Sequence, residues 1–463
     1  MTPGDLFPKA LGAPIAVRSL FPQVTEIRSY SQGYKIKWLD SKRPQPTIGR
    51  DHSQKPTRWR IDGLERRPTT EQLKAVSSYP SEFVFSGNDN ETWNRIGNSV
   101  PPLFMYAIAA QIRHKLLSGP AIENMPMIDY PAHLAAMWQR HLAPREPDAP
   151  TVISTFAGAG GSSLGYSMAG FRELLAVEWD DNAVETFRLN FPGVPVYHGD
   201  IAKLSVDECL SMAGIQPGEL DILDGSPPCQ GFSTAGKRII DDPRNQLFRE
   251  YVRLLRGLRP KVFVMENVSG MVKGKMKLVF VEILKELKAS GYRVSARLLN
   301  AMYFHVPQSR ERMIFIGVRD DLGVDPTHPK AEGRPVTVRE AIGDLPIDGP
   351  LATKSFAEAL PKMPAGSNNS GFRYLSHTMG LSRLAWDEVS PTIVLTARRL
   401  AYPERNRFLS IGAGKRIASF PDDFASIGEY PLVWRRIGNS VPPLFMEAIA
   451  RHIRREILDG VKA

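Results

Sequence analysis

The sequence predicts an α/β fold: a doubly wound, mostly parallel sheet with a smaller, loop-rich region. Three observations carry that prediction. From Thr151 onward, short β-rich runs alternate with helical patterns, the order expected of parallel strands joined by crossover helices. A glycine-rich turn, Phe156-Ala-Gly-Ala-Gly-Gly161, follows the first run and precedes a helix. The residues that could do chemistry fall where runs end, which is where an open α/β sheet opens its crevice.

The candidate strands are Thr151 to Phe156, Glu173 to Glu178, Val194 to His198, Leu220 to Asp224, Val262 to Glu266, Tyr292 to Leu299 and Met313 to Val318. The first five alternate with helical patterns and read as the parallel set. Residues 1–118 read as an N-terminal extension and 119–150 as a linker, with six prolines from Ser118 to Pro150 around a helix from Ala132 to Gln139. Residues 151–320, which hold all of these runs and the glycine-rich turn, read as the central domain and the candidate seat of the chemistry. Residues 321–390 are a loop-rich insert, the candidate target-recognition region, and 391–463 return to the central domain.

The extension holds a repeat. Arg95 to Met105 reads Arg-Ile-Gly-Asn-Ser-Val-Pro-Pro-Leu-Phe-Met, and Arg436 to Met446 is identical. At a constant offset of 341 the match runs from Pro68/Leu409 to Leu117/Leu458 and pairs Trp93 with Trp434. In each copy Pro-Pro opens an amphipathic helix, Leu103 to Leu117 and Leu444 to Leu458, where the missing N–H of proline costs nothing. Two copies so far apart cannot stack as a solenoid, so this is a duplicated terminal segment.

Composition narrows the chemistry. With 463 residues, 42% apolar and 23% charged, the chain has material for two to three domains of a soluble protein. No run of 18 apolar residues occurs and Met1 to Ile15 lacks a signal-peptide pattern, so neither membrane span nor export is expected and a reducing cytoplasm fits best. Two cysteines without metal-like spacing exclude a disulfide framework and predict no metal site. The net charge of +10 favours a polyanionic partner. Its distribution says more: Arg28 to Arg67 holds 11 basic against 4 acidic residues, and Arg373 to Arg416 holds 8 against 3. Two basic arms thus flank a nearly balanced middle, as a phosphate backbone requires.

Glycines at 158 and 160 let backbone N–H groups and a helix start approach a carboxylate or phosphate, although Ser163 stands where a dinucleotide fingerprint needs a third glycine. Glu178 ends the second strand and could accept ribose hydroxyls. Trp179 could stack on a purine, and Asp200, after the third strand, could take an exocyclic amine; carboxylates that merely cap the next helix are the plainer reading. Cys229 sits in a Gly/Ser/Pro turn after the fourth strand and Glu266 ends the fifth, so thiol and carboxyl open on one crevice. Free cysteine is only about 3% thiolate at neutral pH, so a nucleophile there needs help from its surroundings. Gln308, Arg310 and Arg312 alternate along one face of an extended segment, and two guanidiniums on one face suit an anion. Cys209, in an apolar helical pattern, reads as core.

In this order, Phe-x-Gly-x-Gly-Gly, Pro-Cys-Gln, Glu-Asn-Val, Gln-x-Arg-x-Arg and Ile-Gly-Asn-Ser-Val-Pro-Pro resemble the bacterial DNA (cytosine-5)-methyltransferase family, over residues 151–320 and 391–458. The resemblance implies a Rossmann-like, S-adenosylmethionine-dependent fold and methyl transfer to carbon 5 of a cytosine flipped out of double-stranded DNA, releasing S-adenosylhomocysteine. It assigns nucleophilic attack on C6 to Cys229, contact with N3 and the exocyclic amine to Glu266, and steadying of the nucleotide to Arg310 and Arg312. Phe156, Gly158, Gly160, Gly161, Glu178, Trp179, Asp200, Ile201, Pro228, Leu247, Asn439 (or Asn98) and Ser440 would line the cofactor. It further implies a monomer, without metal, serving as the methylase of a restriction-modification system, with a cognate endonuclease acting on the same site, or as an orphan or phage methylase. Cytosine-5 methylation of tRNA on the same scaffold, or a catalytically silent DNA-binding regulator, are the alternatives. The family usually carries one Ile-Gly-Asn-x-Val-Pro-Pro segment; here only one docking slot is expected, by the first glycine-rich turn, and the C-terminal copy is expected to fill it.

Overall fold

A computed structural model describes residues 16–30, 36–43, 57–106, 109, 128–228, 243–272, 276–352, 355–368, 381–396, 400–403 and 405–461. The chain forms two compact units, Met1–Asn124 and Met125–Ala463.

All seven expected strands form one sheet in the second unit: β1 (Thr151–Thr155), β2 (Arg172–Glu178), β3 (Val196–His198), β4 (Ile222–Gly225), β5 (Val262–Val268), β6 (Tyr292–Asn300) and β7 (Glu311–Arg319). The order is β6-β7-β5-β4-β1-β2-β3. The run β5-β4-β1-β2-β3 is parallel, and β7 and β6 join as an antiparallel edge. The inner strands read as continuous apolar runs because both faces are covered: Val152, Ile153, Ile222, Leu223 and Val262 to Met265 are all fully buried.

One face is covered by α1 (Tyr130–Leu142), α2 (Gly161–Met168) and, from the end of the chain, α9 (Pro443–Ile453). The other carries α4 (Val206–Ala213), α5 (Pro243–Leu258) and α6 (Met276–Lys288), with Cys209 in its core. Burial pushes the Cys209 thiol up to about 12, so it stays a neutral core group. Between β2 and β3 lies α3 (Asp181–Asn190), and ahead of α9 lie α7 (Ile411–Ile417) and α8 (Tyr430–Asn439).

Helix α1 departs from the linker expected over 119–150. Asp129 caps it through the Ala132 N–H, Pro131 sits in its first turn, and it outruns the short helix expected from Ala132 to Gln139. Tyr130, Leu134, Met137 and Trp138 are core residues, and the Tyr130 hydroxyl donates to the Arg416 carbonyl at 2.7 Å. The prolines marked this stretch as broken, but they lie at or beyond the helix ends, where they do no harm.

The C-terminal segment docks where expected. A Cβ added to Gly161 would lie 2.5 Å from the Val441 carbonyl oxygen, and one added to Gly165 would lie 2.6 Å from both Met446 Cβ and the Pro443 carbonyl oxygen. Backbone touches backbone here, so only glycine fits at either position. The insert, by contrast, adds a small core of its own around Ala359, Leu360, Met363, Leu381 and Phe408.

The first unit, expected only as an extension, contains a four-stranded antiparallel sheet in the order Ile36–Asp40, Val24–Tyr30, Trp59–Ile61, Leu64–Arg66. Its core is small: Val17, Val24, Ile27 and Trp59. A register shift between Val24 and Glu26 breaks the alternation that would have announced a strand.

Candidate active site

The glycine turn is built on strained backbone. Phe156, just after β1, has φ +54°, a left-handed conformation that costs a bulky residue free energy and recurs at functional sites. Gly158 (φ +57°) and Gly160 (φ +97°) share that region, and Gly160 caps α2. The three glycines of the turn serve different ends. A side chain at Gly158 would meet nothing within 4 Å, whereas one at Gly160 would strike the Phe191 ring and one at Gly161 the docked segment. Gly158 alone faces open space; Gly160 and Gly161, expected to line the cofactor, are small because protein packs on them.

Glu178, at the end of β2, is 8% exposed. Its carboxylate accepts from the Gly158 N–H at 2.8 Å, the Trp179 N–H at 3.0 Å and the Asp180 N–H at 2.9 Å. These bonds fix the carboxylate against the turn and take up part of the acceptor capacity expected for ribose hydroxyls. Trp179 beside it is 74% exposed, so an indole face stands open for stacking. Asp200 is exposed, and one of its carboxylate oxygens accepts from the Ala202 N–H at 3.0 Å, capping the turn Ile201–Lys203. Ile201 is buried, and Leu247, on α5, is partly buried against the same core as Ile201.

The closing segment completes this side. Asn439 ends α8 and is exposed, and Ser440 follows it, its hydroxyl donating to the Arg436 carbonyl at 2.7 Å. Arg436 pairs with Asp180 and bonds Asn182 at 3.2 Å, lacing α8 to α3. Burial works against ionisation of Asp180, but Arg436 and the Ala183 N–H hold its carboxyl below the usual value. Asn98, the alternative to Asn439, belongs to the other unit.

At the other end of the crevice, Glu266 on β5 is 9% exposed and Arg312 reaches it from β7, Nε to Oε1 at 2.6 Å. The next residue, Asn267, donates through Nδ2 to the Pro227 carbonyl at 3.0 Å and so ties the Pro-Pro turn to the end of β5. Pro228 is exposed; Cys229 lies outside the described residues. Beneath the turn Asp224 accepts from the Tyr166 hydroxyl at 3.1 Å, and burial pushes its carboxyl up to about 7. Asn267 and Asp224 were not singled out from sequence. Asn267 stood within the Glu-Asn-Val run and could have been read as an anchor; Asp224 looked like any strand-end acid.

The two arginines have different partners. Arg310, 3% exposed, donates to the Ile393 carbonyl at 3.2 Å and the Gly438 carbonyl at 3.0 Å, and Gln308 accepts from the Ile393 N–H at 3.0 Å. Both therefore brace the returning chain, while Arg312 pairs with Glu266. Gln308–Ser309 pairs with Ser390–Pro391 in a sheet of its own before β7 begins. Burial, with Arg312 nearby, pushes the Arg310 guanidinium down to about 9, and its Nε has no partner among the described residues.

The model of C-5 cytosine-specific DNA methylases matches residues 13–114 and 150–455. The chain belongs to that family. It is a DNA (cytosine-5)-methyltransferase, and membership implies S-adenosylmethionine as methyl donor and DNA as substrate. The type II methyltransferase M1.HphI of Haemophilus parahaemolyticus is 36% identical over 326 residues, covering 65% of this chain and 86% of that protein. M.XorII of Xanthomonas oryzae pv. oryzae is 33% identical over 365 residues, covering 66% and 85%. Among solved structures, a prophage-encoded E. coli protein described as a DNA modification methyltransferase is 26% identical, with a TM-score of 0.57, over 67% of this chain and all of that one. Among the described residues of this methyltransferase no helix is long and apolar enough to cross a membrane, and no cluster of His, Cys, Asp and Glu could hold a metal ion.

Proposed function

We propose that this methyltransferase works by covalent addition, with Cys229 as nucleophile and Glu266 as the group that holds the ring. Carbon 5 of cytosine is too weak a nucleophile to take a methyl group unaided, and splitting the reaction through an adduct lowers the barrier. The Cys229 thiolate bonds to C6 of a cytosine flipped from the duplex, and the electron pair displaced from the C5–C6 bond makes C5 nucleophilic. Glu266, oriented by Arg312, donates a proton to N3 as the adduct forms and accepts from the exocyclic amine, so negative charge does not gather in the ring, and it takes the proton back when sulfur leaves. After methylation a base removes the C5 proton, the double bond re-forms and sulfur leaves. S-adenosylmethionine supplies the electrophilic methyl group. Gly158, Glu178 and the exposed face of Trp179 fit its adenosyl and amino-acid parts, with Phe156, Asp200, Ile201, Pro228, Leu247, Asn439 and Ser440 around them and Gly160 and Gly161 supporting from behind. Arg310 acts from a distance, by bracing the returning chain.

The observation that supports this reading is the buried Glu266–Arg312 pair next to Asn267, whose side chain holds the turn leading into Cys229. The relatives' names, type II methyltransferases, support a place in a type II restriction-modification system; a cognate endonuclease on the same site and catalysis as a monomer complete the proposal. Bisulfite sequencing of DNA from cells expressing the chain tests the proposal: protected cytosines in one sequence context are expected, and they vanish with Cys229→Ser. Retained methylation in that variant overturns the assigned nucleophile.

A further inference from the structure

The two copies of the repeated segment fold alike. Thr70–Val76 and Asp89–Asn98 match α7 and α8 residue for residue at the offset of 341. Ser78 and Ser419 share φ +60°, and each accepts from the backbone N–H that opens the next helix, Leu103 at 3.0 Å and Leu444 at 3.2 Å. Lys74 and Lys415 donate to equivalent carbonyls, Ser81 at 2.9 Å and Asp422 at 2.7 Å. Past that point the copies part. Leu444, Phe445 and Met446 are 3%, 0% and 0% exposed against α2, while Leu103, Phe104 and Met105 are 61%, 59% and 47% exposed, followed by Tyr106 at 67%. The same residues that fill a slot in one copy stand open in the other.

An apolar face that is open here and buried in its twin identifies what covers it. The twin sits on a helix whose glycines, four residues apart, admit backbone contact. In this chain that helix is already filled by a segment tethered to it, which a second copy cannot readily displace. The filled slot also uses Glu447 and Arg451, the latter reaching Glu332 at 2.6 Å, where the N-terminal copy has Tyr106 and Ala110. The N-terminal unit moreover matches the family model over residues 13–114 and carries a small sheet and a basic stretch, yet holds no cysteine and no glycine turn. Residues 1–124 thus hold the closing part of a methyltransferase and no catalytic part.

We propose that the N-terminal unit is the closing half for a second methyltransferase catalytic domain carried on another chain. That partner presents glycines at the positions of Gly161 and Gly165, has no acid at the position of Glu332, and lacks a closing segment of its own. Leu103, Phe104, Met105 and Tyr106 seat on its glycine-faced helix as Leu444 to Glu447 do in the resident enzyme. One polypeptide then serves two active sites, its own in cis and another in trans.

The test uses full-length chains and rests on the catalytic reading of Cys229. The probe carries Phe445→Asp, which vacates its slot, Glu332→Ala, which removes the acid that Arg451 met, and Phe104→Asp, which disables its own N-terminal face. Mixing it with the Cys229→Ser chain is expected to raise methyl transfer at least tenfold, and mixing it with Cys229→Ser/Phe104→Asp is not. Equal rescue by both, or by neither, overturns the proposal. Should the probe not fold, a milder form with Phe445→Ala is run in sedimentation velocity: a 1:1 complex with the wild-type chain but not with Phe104→Asp supports docking, and no complex overturns it. Absence of methyl transfer by the wild-type chain alone would instead sink the catalytic reading, and sedimentation would still decide the docking.

Discussion

Arg312 holds Glu266 across two antiparallel strands, Nε to Oε1 at 2.6 Å, with both side chains nearly buried. Removing one partner of such a pair strands the other charge, at a cost of about 3–5 kcal/mol. Arg312→Ala should therefore lower the melting temperature and kcat together, while Glu266→Gln should cut kcat by roughly 10²–10⁴ and leave S-adenosylmethionine affinity unchanged. Thermal melts beside single-turnover methylation separate the two; a Glu266→Gln enzyme with normal turnover would remove this carboxylate from the chemistry.

Trp179 offers its ring to solvent, so its loss should weaken cofactor binding without unfolding anything. Trp179→Ala is expected to raise the dissociation constant for S-adenosylmethionine about tenfold, in line with roughly 1.5 kcal/mol for an aromatic contact, with the melting temperature unmoved. Titration calorimetry reads the first and a thermal scan the second.

Gly165 has no room for a side chain against Pro443 and Met446. Gly165→Val should destabilise the catalytic unit by about 1–3 kcal/mol or more, the cost of overpacking a close contact. Gly158→Ala meets no neighbour but must hold φ +57°, so it should cost only about 1 kcal/mol of stability and act mainly on cofactor affinity. Urea denaturation distinguishes them; equal losses would mean that Gly158 too is a packing residue.

Asp224, with its carboxyl raised to about 7 by burial, binds a proton in the folded chain that the unfolded chain releases above about 4. Stability should therefore fall as pH rises from about 4 to 7 and then level. Asp224→Asn removes this contribution, so its stability relative to wild type should grow across that window. Denaturation at a series of pH values checks the slope, and parallel profiles for the two chains would contradict the buried titration.

Much of this was legible because the signals are local. Each parallel strand is an apolar run ended by polar residues, and the glycine turn, Glu178 and Glu266 sit at those ends. What escaped depends on partners distant in sequence. Tyr130 bonds Arg416, Arg310 finds the Ile393 and Gly438 carbonyls, and Asn267 finds Pro227. The N-terminal sheet was missed for another reason: its strands are short, charged and interrupted by a bulge, so period-2 alternation never builds up.

Helix α2 is made well before α9, yet each is the other's seat. At roughly 5–20 residues per second a ribosome leaves the glycine face of α2 bare for about 15–55 s before its cover emerges. Through that interval the growing chain holds its crevice unfinished, so methylation waits on the arrival of α9.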